Sequence, residues 1–224
     1  MFELFILPEN FWPDLTKTLV GSFVGASLAF SSNLWFHHKD RKRKHKAAGN
    51  LALATAIRQW NDFLVIRKGF MQTKQAITEQ NASVPIYLQA KPTHYYFSEN
   101  LKFDYASLAF LFEHGRAELF TTLALAEQRY YDLASVIKLY TAAAETMQSR
   151  LASTDFSSDK EYNLSDVEFA IGPDLLCKLQ DTVSGLFQRF DEDESSYTSA
   201  ITDLRSAMVQ VFGDKGIVST AKIG

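Results

Sequence analysis

The chain has 224 residues, 46% hydrophobic and 22% charged, with a formal net charge of −3. That length suits one ordinary domain plus an anchor, and a charge so near neutral gives no global attraction for nucleic acid. The single cysteine, Cys177, excludes an internal disulfide framework and fits a reducing compartment.

Residues 1–14 contain Glu3, Glu9 and Asp14 and no Lys or Arg, with Phe2, Leu4, Phe5, Ile6 and Leu7 ahead of Pro8 and Pro13. They are too short for a domain and read as a translocated segment lying at the outer interface. Residues 15–38 are expected to form a transmembrane helix. Its heart is Thr18–Phe36, nineteen uncharged residues that give roughly 28 Å of helix, close to the hydrocarbon thickness of a bilayer. Trp12 and Trp35, each beside a Phe, stand at the two ends as interfacial anchors. Ser22, Ser27, Ser31, Ser32 and Asn33 dilute the span, so a buried core helix is the rival reading. A cleaved secretory signal would need a positive leader, which these acidic first residues do not supply.

Gly21 and Gly25 are four apart and Ala29 continues their face. Small residues at that spacing let two membrane helices approach closely, so this face is the expected packing surface of a homo-oligomer. A lone GxxxG also arises from composition alone.

Residues 39–47 form a basic juxtamembrane run: Lys39, Arg41, Lys42, Arg43, Lys44 and Lys46, against Lys17 alone on the other flank. The positive-inside rule then places the C-terminal side in the cytoplasm and the N-terminus outside, and the same cations contact the lipid bilayer. Residues 47–224 hold 16 Lys/Arg against 22 Asp/Glu, a net of −6. That charge repels phosphate, and no direct nucleic-acid contact is expected.

Residues 48–213 are expected to be a cytosolic helical bundle, with 214–224 a loose tail. Ala47-Ala48-Gly49-Asn50 either continues the membrane helix or bends it. Leu53, Ile57, Trp60, Leu64 and Met71 then give a helix stripe over about 48–80. Pro85 and Pro92 mark 83–100 as a connecting loop. A short helix with Asp104 as its cap and Leu108, Leu111 and Phe112 inward should stop near Gly115. Leu119, Leu123, Ala126, Tyr130, Leu133, Ile137, Tyr140, Ala144, Met147 and Leu151 alternate steps of four and three, predicting a helix over about 116–153. After the polar loop 154–164, Ser165 and Glu168 read as a capping box for a short turn that Gly172 ends. Pro173 opens the last helix, about 173–212, on the series Leu176, Val183, Phe190, Tyr197, Leu204, Val211, and Gly213 closes it. Asp193 falls where an apolar residue belongs, and the run Asp191–Glu194 reads most simply as a solvated face. The expected fold is therefore all-α: an N-terminal transmembrane helix followed by an elongated antiparallel bundle of long helices.

No chemistry emerges. His37, His38 and His45 lack a completing carboxylate or cysteine, Cys177 lacks an activating neighbour, and no phosphate loop or nucleophile elbow is present. No catalytic residue, metal or cofactor is expected, so the chain reads as non-enzymatic.

The run Ser107-Leu108-Ala109-Phe110-Leu111-Phe112, with Glu118-Leu119 and Leu125-Ala126-Glu127-Gln128-Arg129-Tyr130, resembles a pattern in uncharacterised bacterial single-pass membrane proteins. The likeness covers about residues 15–140 and implies an anchor in a bacterial inner membrane followed by cytosolic helices. By architecture alone the chain also resembles membrane effectors of bacterial antiphage systems, retron-linked ones included. Two functions follow as expectations: a membrane-acting effector controlled through its helical domain, or an anchored scaffold that docks a cytosolic protein partner.

Overall fold

The computed structural model describes residues 11–79, 84–89, 97–98, 100–154 and 163–218, with side chains from Thr16 onward. The expected interfacial segment therefore falls almost wholly outside the described residues, as does the side chain of Trp12. Among the described residues the chain is all-α and has no strand. The helices are α1 (Phe11–Glu79), α2 (Ile86–Gln89), α3 (Phe110–Glu113), α4 (Glu118–Ala152), α5 (Leu164–Ile171) and α6 (Pro173–Phe212). The chain divides into two compact units, Met1–Ala47 and Ala48–Gly224.

The first unit is the N-terminal part of α1. Every side chain from Thr16 to Lys44 is exposed. Helix α1 continues without a break through Ala47-Ala48-Gly49-Asn50.

In the second unit, α4, α6 and the Ala48–Glu79 part of α1 pack together. Helix α6 runs antiparallel to both partners. Trp60 and Phe70 of α1 meet Tyr197 and Phe187 in descending order, and Arg129 and Asp132 of α4 meet Asp193 and Arg189 likewise. Helices α1 and α4 are parallel to each other, because Asp62 meets Tyr130 and Phe70 meets Tyr140. Parallel neighbours require a return segment. Tyr87 in α2 hydrogen-bonds Glu168 of α5, the Leu101 carbonyl accepts from Gln59, and Phe110 reaches Phe212. The connection between α1 and α4 thus travels back along the bundle before α4 begins.

The core is aromatic at its middle. Phe63 stacks on Trp60 at 5.3 Å between centroids and meets Tyr197 at the same distance. Each such fully buried ring contributes about 1.5–3 kcal/mol. The four-three series of α4 is buried from Leu119 to Met147. In α6 the seam is buried from Val183 to Leu204, but Leu175 rather than Leu176 faces inward at the start. Leu175, Leu179 and Val183 step by four twice, as a 3.6-residue helix must do to catch up with a 3.5-residue pattern.

Several expectations are corrected. The buried stripe of α1 is Leu53, Ala56, Trp60, Phe63, Ile66 and Phe70, while Met71 is 40% exposed. Apolar residues on neighbouring faces made two stripes available, and packing against α6 chooses the aromatic one. Phe112 is exposed and Phe110 takes the inward place against Phe212. The short helix before Gly115 is only one turn; Asp104 instead holds the preceding turn through the Ser107 backbone N–H and hydroxyl. Helix α5 begins at Leu164 with Asn163 as its N-cap residue, so Ser165 is no cap, and Glu168 is engaged by Tyr87. The tail is not loose over its first residues: Asn50 donates to the Gly216 carbonyl at 2.9 Å and accepts from the Val218 N–H at 3.1 Å, and Ile217 is buried.

Candidate functional site

Two features stand out chemically, one in each unit. The first is the exposed apolar stretch of α1. Leu19, Val20, Phe23, Val24, Leu28, Phe30, Leu34, Trp35 and Phe36 are all between 49% and 75% exposed. At about 3.6 residues per turn they occupy roughly half of the circumference, with Gly21, Gly25 and Ala29 on the other half, and every side chain from Thr16 to Lys44 is exposed. The helix is long and apolar enough to cross a membrane, and none of its most apolar window is buried within this chain. Ser22 turns its hydroxyl back onto the Thr18 carbonyl at 2.8 Å, which satisfies a polar group that lipid would otherwise leave without a partner. Gly21, Gly25 and Ala29 lie along one face of this stretch, and a Cβ at either glycine would meet nothing within 4 Å. The face is open.

Trp35 closes the stretch, packed edge-on against Phe36 at 5.1 Å and covered by the Lys39 ammonium at 4.7 Å. Beyond it Lys39, Arg41, Lys42, Arg43 and Lys44 are exposed and Lys46 is half-buried. Asp40 pairs with Lys44 at 2.8 Å. The Lys44 hydrogen bond and charge hold the Asp40 carboxyl below its ordinary range and raise the Lys44 ammonium in turn. One cation of the run is thereby partly offset, and the remainder is still strongly positive.

The second feature is a charged node in the core of the other unit. Asp193 is 2% exposed at an α6 seam position. Arg129 of α4 reaches it at 2.9 Å and also contacts Glu192 at 3.5 Å, while Arg189 approaches at 4.0 Å. Burial raises the Asp193 carboxyl above its ordinary range despite the two guanidinium groups, which pull the other way. Asp191 and Glu194 pair with Arg67 of α1 at 3.4 and 3.2 Å. The acidic run is therefore no simple solvated face. Four successive carboxylates divide between an arginine on α1 and an arginine on α4, and so tie α6 to both.

Next to Arg129, Tyr130 donates to Asp62 of α1 at 2.9 Å, and burial with that carboxylate raises its phenol. Glu127 accepts from the Phe103 N–H at 3.0 Å and from the Tyr105 hydroxyl at 2.9 Å, fixing the return segment. The stretch Leu125–Tyr130, singled out for its resemblance, is thus the place where α1, α6 and the return segment are all bonded to α4. Sequence reasoning missed Arg67, Arg129 and Asp62 as partners. The one available signal was Asp193 standing in an apolar series.

The node holds α6 to α1 and α4. Its arginines and carboxylates are paired with one another. Among the described residues no group of three or more His, Cys, Asp or Glu is gathered as a metal site. Cys177 is exposed. Comparison with protein-family models, with curated proteins and with solved structures finds no match to this chain.

Proposed function

We propose that this chain is a non-enzymatic, single-pass membrane protein, anchored by residues 15–38, that acts on the membrane as an effector and is controlled through its helical unit. The observation that carries the reading is the set of nine large apolar residues from Leu19 to Phe36, all exposed and followed closely by cations. Apolar surface of that extent is stable only against lipid or against other copies, and the basic run fits the anionic face of a bilayer. The open Gly21–Gly25–Ala29 face suits clustering of spans once neighbours are brought together. In this reading the basic side lies in the cytoplasm of a bacterial cell, and the span damages the bilayer when clustered. The architectural likeness to antiphage membrane effectors agrees with that action.

Expression of the full chain while a membrane-potential dye is followed tests it. Depolarisation that disappears with Gly21→Leu and Gly25→Leu together is the expected outcome. An unchanged potential at high membrane abundance overturns the effector reading. The scaffold alternative, favoured by the open cleft between α4 and α6, instead predicts that the double glycine variant keeps full function.

A further inference from the structure

Gly185 lies inside α6, where glycine disfavours a helix more than any residue except proline. A Cβ there would meet nothing within 4 Å, so nothing among the described residues calls for glycine. Gly49 shows the opposite case: a Cβ would run into the sulfur and terminal methyl of Met208. Gly185 borders a cleft of about 300 Å³ between α4 and α6, floored by Leu133 and Leu186, with Leu139 at its edge and 53% exposed. Asp181 and Arg189, one turn before and one turn after Gly185, border the same cleft.

An acid, a glycine and a base spaced by four on one helix face are complementary to themselves. When two copies of that face cross antiparallel at the glycine, the position four before the crossing on one helix is level with the position four after it on the other. A missing side chain at the crossing lets the backbones approach. The two-fold axis then repeats each contact, as an isologous interface requires.

We propose that the α4–α6 cleft is a self-association surface for a second copy of this chain, packed antiparallel with Gly185 at the crossing point. Asp181 of each copy faces Arg189 of the other, and Leu139 is buried in the contact. Arg189 is 3.6 Å from Asp132 and 4.0 Å from Asp193 within its own chain, contacts long enough to leave guanidinium N–H donors for another carboxylate. This surface belongs to the second unit and does not depend on the membrane reading.

The test uses the full chain in detergent micelles, with Cys177→Ser as background and Gly185→Cys as the only thiol. Mild oxidation should give a disulfide-linked dimer well above that of a Gln148→Cys control on the exposed face of α4. Adding Asp181→Lys, which sets cation against cation across the axis, should weaken association about tenfold. Asp181 is exposed and makes no ion pair among the described residues, so Asp181→Lys alone, followed by sedimentation equilibrium, gives a second measurement in a folded chain. Cross-linking no better than the control overturns the proposal, and so does association indifferent to Asp181→Lys.

Discussion

Helix α1 uses apolar residues in two ways, and the contrast between residues 19–36 and residues 53–70 is instructive. From Leu19 to Phe36 every large apolar side chain is exposed, whereas from Leu53 to Phe70 a single stripe is buried and the opposite face is polar or exposed. The two stretches do not differ greatly in how many apolar residues they hold. They differ in cover: a broad apolar half that stays exposed in one, a stripe buried against α4 and α6 in the other. A one-sided helix is completed by neighbours from its own chain. A broad apolar face that no described residue covers needs lipid or another protein surface.

The largest way to break this contrast is to truncate one ring on each side of it. Phe63→Ala removes a fully buried ring packed against Trp60, Phe190 and Tyr197 and should destabilise the helical unit by about 3–5 kcal/mol in denaturant unfolding. Phe23→Ala, in the exposed stretch, should leave that unfolding curve where it is. A shift in both would mean that the first stretch packs on the bundle.

A charge in the middle of the exposed stretch is the next sharpest probe. Leu28→Arg should oppose insertion by about 2.5–3.5 kcal/mol and move much of the chain from the flotation fraction of a sucrose gradient to the soluble or aggregated one. The same helix content and full membrane recovery would say that lipid is not what covers the stretch.

The smallest effect concerns a polar residue on the buried side. The Asp193 carboxyl is raised above 3.8 in the folded chain by burial, so between that value and its folded value the folded state holds more protons than the unfolded one. Stability therefore falls as pH climbs through that window. Asp193→Asn has no such titration, so its deficit against the native chain should be greatest at the acid end and narrow as pH rises. Thermal unfolding of both proteins from pH 4 to pH 7 reads this directly. A deficit that widens with pH would mean that the Arg129 and Arg189 charges outweigh desolvation.

Much of this was legible in the residues, and the failures have a common cause. Helices α4 and α6 declared themselves by unbroken periodicity, and Pro173 and Gly213 marked the ends of α6 where the structure puts them. What stayed hidden depended on partners distant in sequence. Asp193 could be seen to violate its series, but Arg129 lies 64 positions away. Asn50 could not be matched to a tail segment 166 positions on. The inward stripe of α1 was ambiguous because Ile57, Leu64 and Met71 form a second credible line, and only the aromatic face presented by α6 decides between them. For the open Gly21–Gly25 face the spacing was visible from the start, whereas Gly185 drew no notice because its meaning lies in the empty space beside it.

The parallel course of α1 and α4 has a consequence for how the chain is made. Both helices emerge from the ribosome with arginines, Arg67 and Arg129, whose carboxylate partners all belong to α6. Until that last helix is synthesised, Arg67 and Arg129 lack those carboxylates, and the apolar stripes of both helices lack the face that α6 supplies. Completion of the unit is therefore deferred to the end of translation, and any product cut short before α6 exposes apolar stripes that quality-control proteases and chaperones would recognise.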